Sequence, residues 1–163
     1  MRLEGSCSCG AVKFSCISRH PYPYMHCYCT ICRKTQGGGG YAINIRADTN
    51  TLEVEGEKNV RVYRAKVRKS ETKQWKISNA ERRFCGQCGS GLWVFSPTWP
   101  EMIHPFASAI DSNLPIPPER IHILQNSKAN WVNPLSEDKD KLFANGPHQS
   151  LAEWHEKHDL VDE

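Results

Sequence analysis

The chain has 163 residues, of which 39% are hydrophobic, and a formal net charge of +3. Its length suits one domain with a buried core, but the hydrophobic content is low, so another source such as bound metal should contribute to folding. No run approaches the roughly 20 apolar residues of a membrane helix, no N-terminal apolar stretch indicates a signal peptide, and the charge is too small to indicate nucleic-acid binding by itself.

Short β-strands are the predicted elements over most of the chain. Alternating apolar and polar residues predict a half-buried strand at residues 11–16. Similar patterns predict strands at 41–46, 51–54, 60–65, 73–77, 83–85 and 92–95. Prolines between residues 97 and 118 then argue against long elements in that region.

A short helix is predicted near the C-terminus, at residues 151–158. Ser150 suits the N-cap position, and Glu153 is its partner in a capping box. The chain as a whole therefore predicts one mainly β domain that ends in an irregular arm with a short helix.

Seven of the eight cysteines fall into three closely spaced groups. The groups are Cys7 with Cys9, then Cys27, Cys29 and Cys32, and finally Cys85 with Cys88. We expect the protein in the cytosol or in another reducing compartment such as the nucleus. Cysteines stay reduced there, so disulfides are not expected. Short cysteine spacings are typical of tetrahedral zinc sites. The remaining cysteine, Cys16, lies on the apolar face of a predicted strand and is interpreted as a core thiol.

These groups can be divided into two zinc sites. The two pairs together supply the four ligands of a closed structural site, and Cys27, Cys29 and Cys32 remain for a second. Three protein ligands with an open fourth position are typical of catalytic zinc. That position could take water, a substrate thiolate or His26. Alternatively, His26, Cys16 or a glutamate could close the second site and make both zincs structural.

Three segments around these cysteines resemble the glutathione-dependent formaldehyde-activating enzyme family, which also includes centromere protein V. The segments are GSCSCGAVKF at residues 5–14, HCYCTICRK at 26–34 and RFCGQCGSGL at 83–92. Weaker similarities at 109–111, 122–123 and 128–131 extend the resemblance over residues 3–132. The chain departs from the family pattern at Tyr28, where many relatives have His, and at the glycine run 37–40.

The resemblance implies a mainly β fold of several small antiparallel sheets around zinc, like that of a Rab exchange-factor chaperone, with a short C-terminal helix. It implies a zinc-binding β domain at residues 1–132, with an arm at 133–163 packed on it. It further implies a structural zinc held by Cys7, Cys9, Cys85 and Cys88 and a second zinc held by Cys27, Cys29 and Cys32. The implied activity is that of a carbon–sulfur lyase-type enzyme that acts on glutathione or a related thiol and its adducts, such as S-hydroxymethylglutathione.

Candidate substrate-binding residues follow the second cysteine group. Three thiolates and one Zn²⁺ give that site a charge of −1, so Arg33 and Lys34 could balance it or hold the carboxylates of glutathione. Gly38 and Gly39 could offer backbone N–H groups to a ligand. The alternatives are that the two cations are solvated surface charges and that the glycine run is a flexible connection.

A zinc-stabilised binding module without catalysis is the alternative function. Residues 58–83 contain ten Lys or Arg and two acids, which could contact nucleic acid or protein. The same stretch alternates like a strand and could be a solvated sheet face, and the chain lacks a longer basic tail, so nucleic acid is not the favoured partner. A redox switch at Cys85 and Cys88 is disfavoured by the flanking glycines and by the absence of a βαβ pattern. We therefore favour an enzyme with a small-molecule thiol substrate.

Overall fold

The computed structural model describes residues 1–36, 38–68, 74–134 and 136–160. Some sequence-based predictions fall partly outside these residues. They are the first glycine of the run 37–40, the part of the basic stretch at residues 69–73, and the first residue of the strand predicted at 73–77.

The described residues contain fourteen strands and two α-helices, all of them short. In chain order these are β1 (Arg2–Ser6), β2 (Lys13–Ile17), β3 (Tyr24–Cys27), α1 (Thr30–Gln36), β4 (Ala42–Asn44), β5 (Ala47–Asp48), β6 (Glu53–Glu55), β7 (Val60–Tyr63), β8 (Lys66–Arg68), β9 (Trp75–Ile77), β10 (Glu81–Cys85), β11 (Gly91–Phe95), β12 (Met102–Pro105), β13 (Arg120–Ile123), β14 (Lys141–Leu142) and α2 (Leu151–Lys157). No helix among the described residues is both long enough and apolar enough to span a membrane.

The chain divides into two units, and the first comprises Met1–Arg19 and Arg46–Leu114. It contains a three-stranded sheet with the order β1-β2-β6, a five-stranded sheet with the order β5-β12-β11-β10-β7, and the hairpin β8-β9. Every pairing in these sheets is antiparallel. The strand predicted at residues 11–16 is found as β2, in which Phe14 and Cys16 are buried as expected, but Ser15 between them is also buried, so burial does not alternate along this strand. Phe14 packs against Trp93 of β11, with ring centroids 5.2 Å apart, and such burial contributes about 1.5–3 kcal/mol for each large apolar side chain.

The second unit comprises His20–Ile45 and Pro115–Glu163. Its four-stranded sheet has the order β14-β13-β3-β4. In this sheet β13 runs parallel to both β3 and β14, whereas β3 and β4 are antiparallel. Trp154 of α2 is buried, and its indole Nε1 donates a hydrogen bond to Glu119 Oε1 at 2.6 Å. The helix is thereby anchored to its own unit by an aromatic side chain with a satisfied donor.

The mainly β fold with several small sheets and a short C-terminal helix is confirmed, and so is the capping box at Ser150 and Glu153. Two further features differ from the expectation. The sheet of the second unit is mixed rather than antiparallel, and α1 begins within the second cysteine group, directly after Cys29, where no helix was predicted. The division at residue 132 into a β domain and an arm stays a prediction.

Candidate metal centres

Four cysteines of the first unit form what we call the four-cysteine cluster: Cys7, Cys9, Cys85 and Cys88. Their sulfur atoms all lie within 4.8 Å of one another. Cys7 follows β1 directly, and Cys85 is the last residue of β10, so two strand ends bring the pairs together. The Cys9 Sγ lies 3.5 Å from Cys7 Sγ and 3.8 Å from Cys85 Sγ. Tetrahedral zinc with bonds of about 2.3 Å would place its sulfur ligands about 3.8 Å apart, so these donors fit zinc.

Tight turns shape this cluster and direct backbone donors at its sulfurs. Gly10 and Gly89 each follow the second cysteine of a pair and have φ of +73° and +77°, a left-handed conformation that favours glycine. The backbone N–H of Val12 donates to Cys7 Sγ at 3.2 Å, and that of Gln87 donates to Cys85 Sγ at 3.4 Å. Such bonds stabilise thiolates. Gly86, which follows the first cysteine of its pair, does not have positive φ.

Three cysteines of the second unit form the three-cysteine cluster: Cys27, Cys29 and Cys32. Their sulfur atoms also lie within 4.8 Å of one another. Cys27 ends β3, and Cys32 lies in α1, whose first turn is closed by a hydrogen bond from Arg33 N to Cys29 O at 2.9 Å. The Cys32 N–H donates to Cys29 Sγ at 3.3 Å. The helix therefore places the third sulfur beside the other two.

No fourth His, Cys, Asp or Glu joins this cluster within residues 1–36, 38–68, 74–134 and 136–160. Two residues that were considered as a fourth ligand, His26 and Cys16, have contacts elsewhere. The His26 ring stacks on Tyr41 with centroids 5.0 Å apart, and Cys16 lies buried in β2 of the first unit. The described residues thus bring together three sulfur donors, a set that could hold a metal and leave a position for another ligand.

The protonation of both clusters favours a thiolate. Hydrogen bonds from Cys27 and Cys32 lower the pKa of Cys29 to about 2, and the same contacts raise the pKa of Cys27. In the other cluster, hydrogen bonds to Ser90 lower the pKa of Cys88 to about 5. By contrast, the backbone hydrogen bond from Ala11 lowers the pKa of Cys9, but contacts with Cys7 and Cys88 outweigh it and raise that pKa to about 12. The contacts within each cluster therefore favour the thiolate, the form that binds metal, at one cysteine and not at all of them.

A cleft of about 510 Å³ opens in the second unit, and we call it the unit 2 cleft. Its lining residues are His26, Tyr28, Gly39, Tyr41, Arg120, Asn133, Ser136 and Glu137. His26 and Tyr28 are the sequence neighbours of Cys27, so the cleft adjoins the segment that carries the three-cysteine cluster. The volume is typical of sites for small molecules, which are about 300–1,000 Å³.

Opposite charges lie together in this cleft. Arg120 Nη1 lies 3.2 Å from Glu137 Oε1, and hydrogen bonds from Lys139 and Arg120 hold the pKa of Glu137 below its usual range. The carboxylate of Asp140 is buried next to this ion pair. Its Oδ1 accepts a hydrogen bond from the backbone N–H of Arg120 at 2.8 Å, and its Oδ2 accepts one from the backbone N–H of Glu137 at 2.9 Å. The cleft therefore offers a cation and an anion side by side to a polar ligand.

Two rings that line the cleft, those of His26 and Tyr28, are uncharged near pH 7. Burial lowers the pKa of His26 to about 4, with His122 contributing, and burial raises the pKa of Tyr28 to about 12. Burial also lowers the pKa of His122, although Asp140 opposes this shift. Tyr28 Oη and His122 Nδ1 form a buried hydrogen bond of 2.9 Å.

The predicted substrate residues are distributed unevenly around this site. Gly39 lines the cleft, whereas Gly38, Arg33 and Lys34 are not among its lining residues, and their roles stay predictions. Three charged residues were missed by the sequence analysis: Arg120, Glu137 and Asp140. No motif or spacing marked them, because they belong to an ordinary strand start and to an acidic segment that looked like solvated surface.

Comparisons with known proteins agree with one another. A sequence model described as glutathione-dependent formaldehyde-activating enzyme matches residues 2–127. A Halomonas elongata protein, provisionally named as a glutathione-dependent formaldehyde-activating enzyme, is 54% identical over 155 residues, which are 95% of each chain. The crystal structure of a Rhodobacter sphaeroides protein covers 71% of this chain and 92% of its own, with a TM-score of 0.52 and 24% identity, and supports the fold alone. The chain belongs to the glutathione-dependent formaldehyde-activating enzyme family.

Proposed function

We propose that the protein is a zinc-dependent enzyme of the carbon–sulfur lyase type. Its substrates would be glutathione, or a related thiol, and the adducts of that thiol with formaldehyde. The observation that carries the proposal is the three-cysteine cluster, which has no fourth ligand among the described residues. The unit 2 cleft is lined by His26 and Tyr28, the sequence neighbours of Cys27. A cluster of that kind suits a site that admits a substrate, whereas a fully ligated cluster suits a structural one.

Two zinc ions per chain would be held by the two clusters. The four-cysteine cluster would close the long segment between Cys9 and Cys85 and so stabilise the first unit. In the three-cysteine cluster, bound zinc would supply the positive charge that favours the thiolate form of a substrate thiol near neutral pH. Holding zinc requires that the cysteines of both clusters stay reduced, so we propose a location in the cytosol.

The unit 2 cleft would bind the rest of the thiol substrate. Glutathione carries carboxylates and an ammonium group, which suit Arg120 and Glu137 respectively. Gly39 would allow close approach of the substrate, and the buried ring of His26 with the half-buried ring of Tyr41 would exclude water from that part of the cleft. Arg33, Lys34 and Gly38 remain proposed contacts for parts of the substrate that extend beyond the cleft.

Replacing Cys32 with Ser tests this proposal directly. Oxygen-free wild-type protein is expected to contain two zinc ions per chain, and the Cys32→Ser variant one, because the second cluster then lacks a thiolate. Glutathione binding, measured by calorimetry, is expected to be lost in the variant. Cys16→Ala is the matched control, since it removes a buried cysteine outside both clusters, and it should retain both metals. Less than one metal per wild-type chain, or glutathione binding that survives Cys32→Ser, would contradict the proposal.

A non-catalytic binding module is the second candidate, and one observation favours it. The strands of the basic stretch expose aromatic side chains, with Tyr63 45% and Trp75 67% accessible, and Arg68 lies over the Trp75 ring at 5.9 Å. Exposed rings among cations are typical of surfaces that stack on nucleic-acid bases. Binding of single-stranded DNA that weakens steeply with salt and is lost in Trp75→Ala would support this candidate. Absence of binding at low salt would exclude it.

A further inference from the structure

We propose that Trp131 is a specificity-determining residue at the rim of the unit 2 cleft. Its exposed indole contacts the peptide part of a thiol substrate and so favours glutathione over small thiols such as cysteine. Gly40 and Lys128 are its positioning residues. The inference rests on the proposed function, because it adds a substrate contact to the same site.

Trp131 presents a large aromatic surface beside the unit 2 cleft. The residue is 62% exposed. A Cβ atom added at Gly40 would lie 3.1 Å from Cη2 and 3.4 Å from Cζ3 of the indole, so the ring lies against the Gly40 backbone. Both neighbours of Gly40, which are Gly39 and Tyr41, line the cleft, and so does Asn133, two residues after Trp131. Trp131 itself is not among the lining residues, and its indole therefore lies at the rim of the cleft.

Gly40 is the residue that lets the indole approach the cleft so closely. Its φ is +83°, a left-handed conformation that favours glycine. A Cβ atom there would also lie 2.2 Å from Cγ2 of Val132, which is closer than side chains approach one another. Any other residue at position 40 would therefore push Trp131 and Val132 away from the cleft. One glycine of the run 37–40 thus makes room for the segment that carries the indole.

A tight turn holds Trp131 in this position. The N–H of Val132 donates to the carbonyl of Ala129 at 3.1 Å, and Lys128 Nζ donates to the carbonyl of Val132 at 2.7 Å. Val132 is buried and anchors the turn, whereas its neighbour Trp131 remains exposed. Lys128 and Trp131 are the two ends of the segment 128–131, and the lysine closes the turn that presents the tryptophan.

The size of the cleft decides which substrates reach this indole. A volume of about 510 Å³ corresponds to a cube with sides of about 8 Å, whereas three extended residues span about 10 Å. A tripeptide thiol therefore extends over the rim, and a single cysteine does not. At the rim, peptide planes and methylene groups can pack on the face of the indole, which removes apolar surface from water. This contact raises the affinity for glutathione and leaves that for small thiols unchanged.

Trp131→Ala and the matched control Trp99→Ala test the assignment by calorimetry. Trp99 is similarly exposed, at 54%, but belongs to the first unit. Trp131→Ala is expected to raise the Kd of glutathione about tenfold, whereas Trp99→Ala should leave it unchanged. Trp131→Phe should recover most of the affinity, because a phenyl ring still offers an apolar face.

Lys128→Met tests the positioning role, because it keeps the indole and removes the donor to the Val132 carbonyl. This variant should raise the Kd of glutathione about threefold or more. Lys157→Met makes the same change at an exposed position of α2 in the same unit and should leave the Kd unchanged. A glutathione Kd in Lys128→Met equal to that of Lys157→Met would contradict the role of the lysine.

Fluorine NMR of protein labelled with 5-fluorotryptophan gives a readout that a purely structural role of Trp131 would not move. The Trp131 resonance, identified by its absence in Trp131→Phe, should shift on titration with glutathione but not with cysteine at the same concentration, and the Trp99 resonance should stay in place. Glutathione that binds without moving the Trp131 resonance, or a Trp131→Ala variant with a glutathione Kd within about twofold of the wild type, overturns this inference alone. A wild type that does not bind glutathione contradicts the proposed function and this inference together.

Discussion

Glu81 of the first unit is a buried carboxylate that is kept ionised by two neighbouring arginines. Glu81 begins β10, and its side chain is only 10% exposed. It forms ion pairs with Arg64 and Arg83, which lie on the loop after β7 and on the same strand. Burial opposes ionisation of Glu81, but the hydrogen bonds and charges of the two guanidinium groups outweigh it and hold its pKa below the usual range.

Replacing Glu81 with Gln should therefore destabilise the protein in a pH-dependent way. A depressed pKa in the folded state gives stability above the unfolded-state pKa of about 4.3, and this stability is lost as the pH falls through the folded-state pKa. At pH 7 we expect Glu81→Gln to lower the unfolding free energy by about 1–3 kcal/mol. The difference from the wild type should shrink below about pH 4, as the wild-type carboxylate becomes protonated.

Urea denaturation of both proteins between pH 3 and pH 7, with zinc kept in excess, measures this difference. Glu55→Gln is the control, because it removes a carboxylate from an exposed position on β6, and it should change stability by less than about 0.5 kcal/mol. If the unfolding free energy of Glu81→Gln lies below that of the wild type by the same amount over the whole pH range, the ion pairs are not the cause of the difference.

The residues that could be predicted from sequence are those whose spacing alone carries information. The cysteines of both clusters belong to this class, since short spacings bring their sulfurs together whatever the rest of the fold does. Asp140 belongs to the opposite class. It lies among Glu137, Asp138 and Lys139, a typical pattern of solvated surface, and its burial depends on backbone donors that no local pattern shows.

At the scale of elements, local signals predicted α2 but not α1. Ser150 Oγ accepts from Glu153 N at 3.2 Å, and Glu153 Oε2 accepts from Ser150 N at 2.5 Å, so the capping box found in the sequence is present. The other helix, Thr30–Gln36, has no such box and no apolar period. A seven-residue helix is too short to form alone, so α1 depends on its contacts around the three-cysteine cluster.

The pairing of distant strands could likewise not be predicted from local sequence patterns. Residues of β3 and β13 pair in parallel, with Met25 opposite Ile121 and Cys27 opposite Ile123. These strands are far apart in the chain, and each is only four residues long. Alternation within a strand can predict which face is buried, but it contains no information about a distant partner or its direction. The mixed sheet was therefore beyond reach of the sequence patterns.

The capping box predicts the effect of Ser150→Ala. The variant leaves the N–H of Glu153 without its side-chain partner, which should cost about 1 kcal/mol. Because α2 is short, the loss should appear as fraying of the helix rather than as a change in the whole chain. Hydrogen exchange of the amides in Leu151–Lys157 should become about fivefold faster. Glu156→Ala, at an exposed position in the same helix, is the control and should leave exchange unchanged. Equal exchange rates in Ser150→Ala and the wild type would show that the cap does not stabilise α2.

For the whole molecule, the main point is that each unit contains a cysteine cluster of its own. The four-cysteine cluster joins the beginning of the first unit to β10, and the three-cysteine cluster joins β3 to α1 in the second. The sheets of both units are small, so apolar burial alone offers limited stability. Bound zinc would then contribute to folding locally, in the unit whose strands it connects.

This arrangement predicts that loss of one zinc affects mainly one unit. In Cys85→Ser, amides of Met1–Arg19 and Arg46–Leu114 should exchange at least about tenfold faster, because the closed loop is opened. In Cys29→Ser, the faster amides should lie in His20–Ile45 and Pro115–Glu163. Hydrogen exchange with mass spectrometry on both variants, at equal zinc concentration, makes the comparison. Cys16→Ala controls for the loss of a thiol in itself. If the two variants instead gave the same exchange pattern along the chain, the clusters would act on one cooperative structure, because a shared unfolding reaction exposes all amides together.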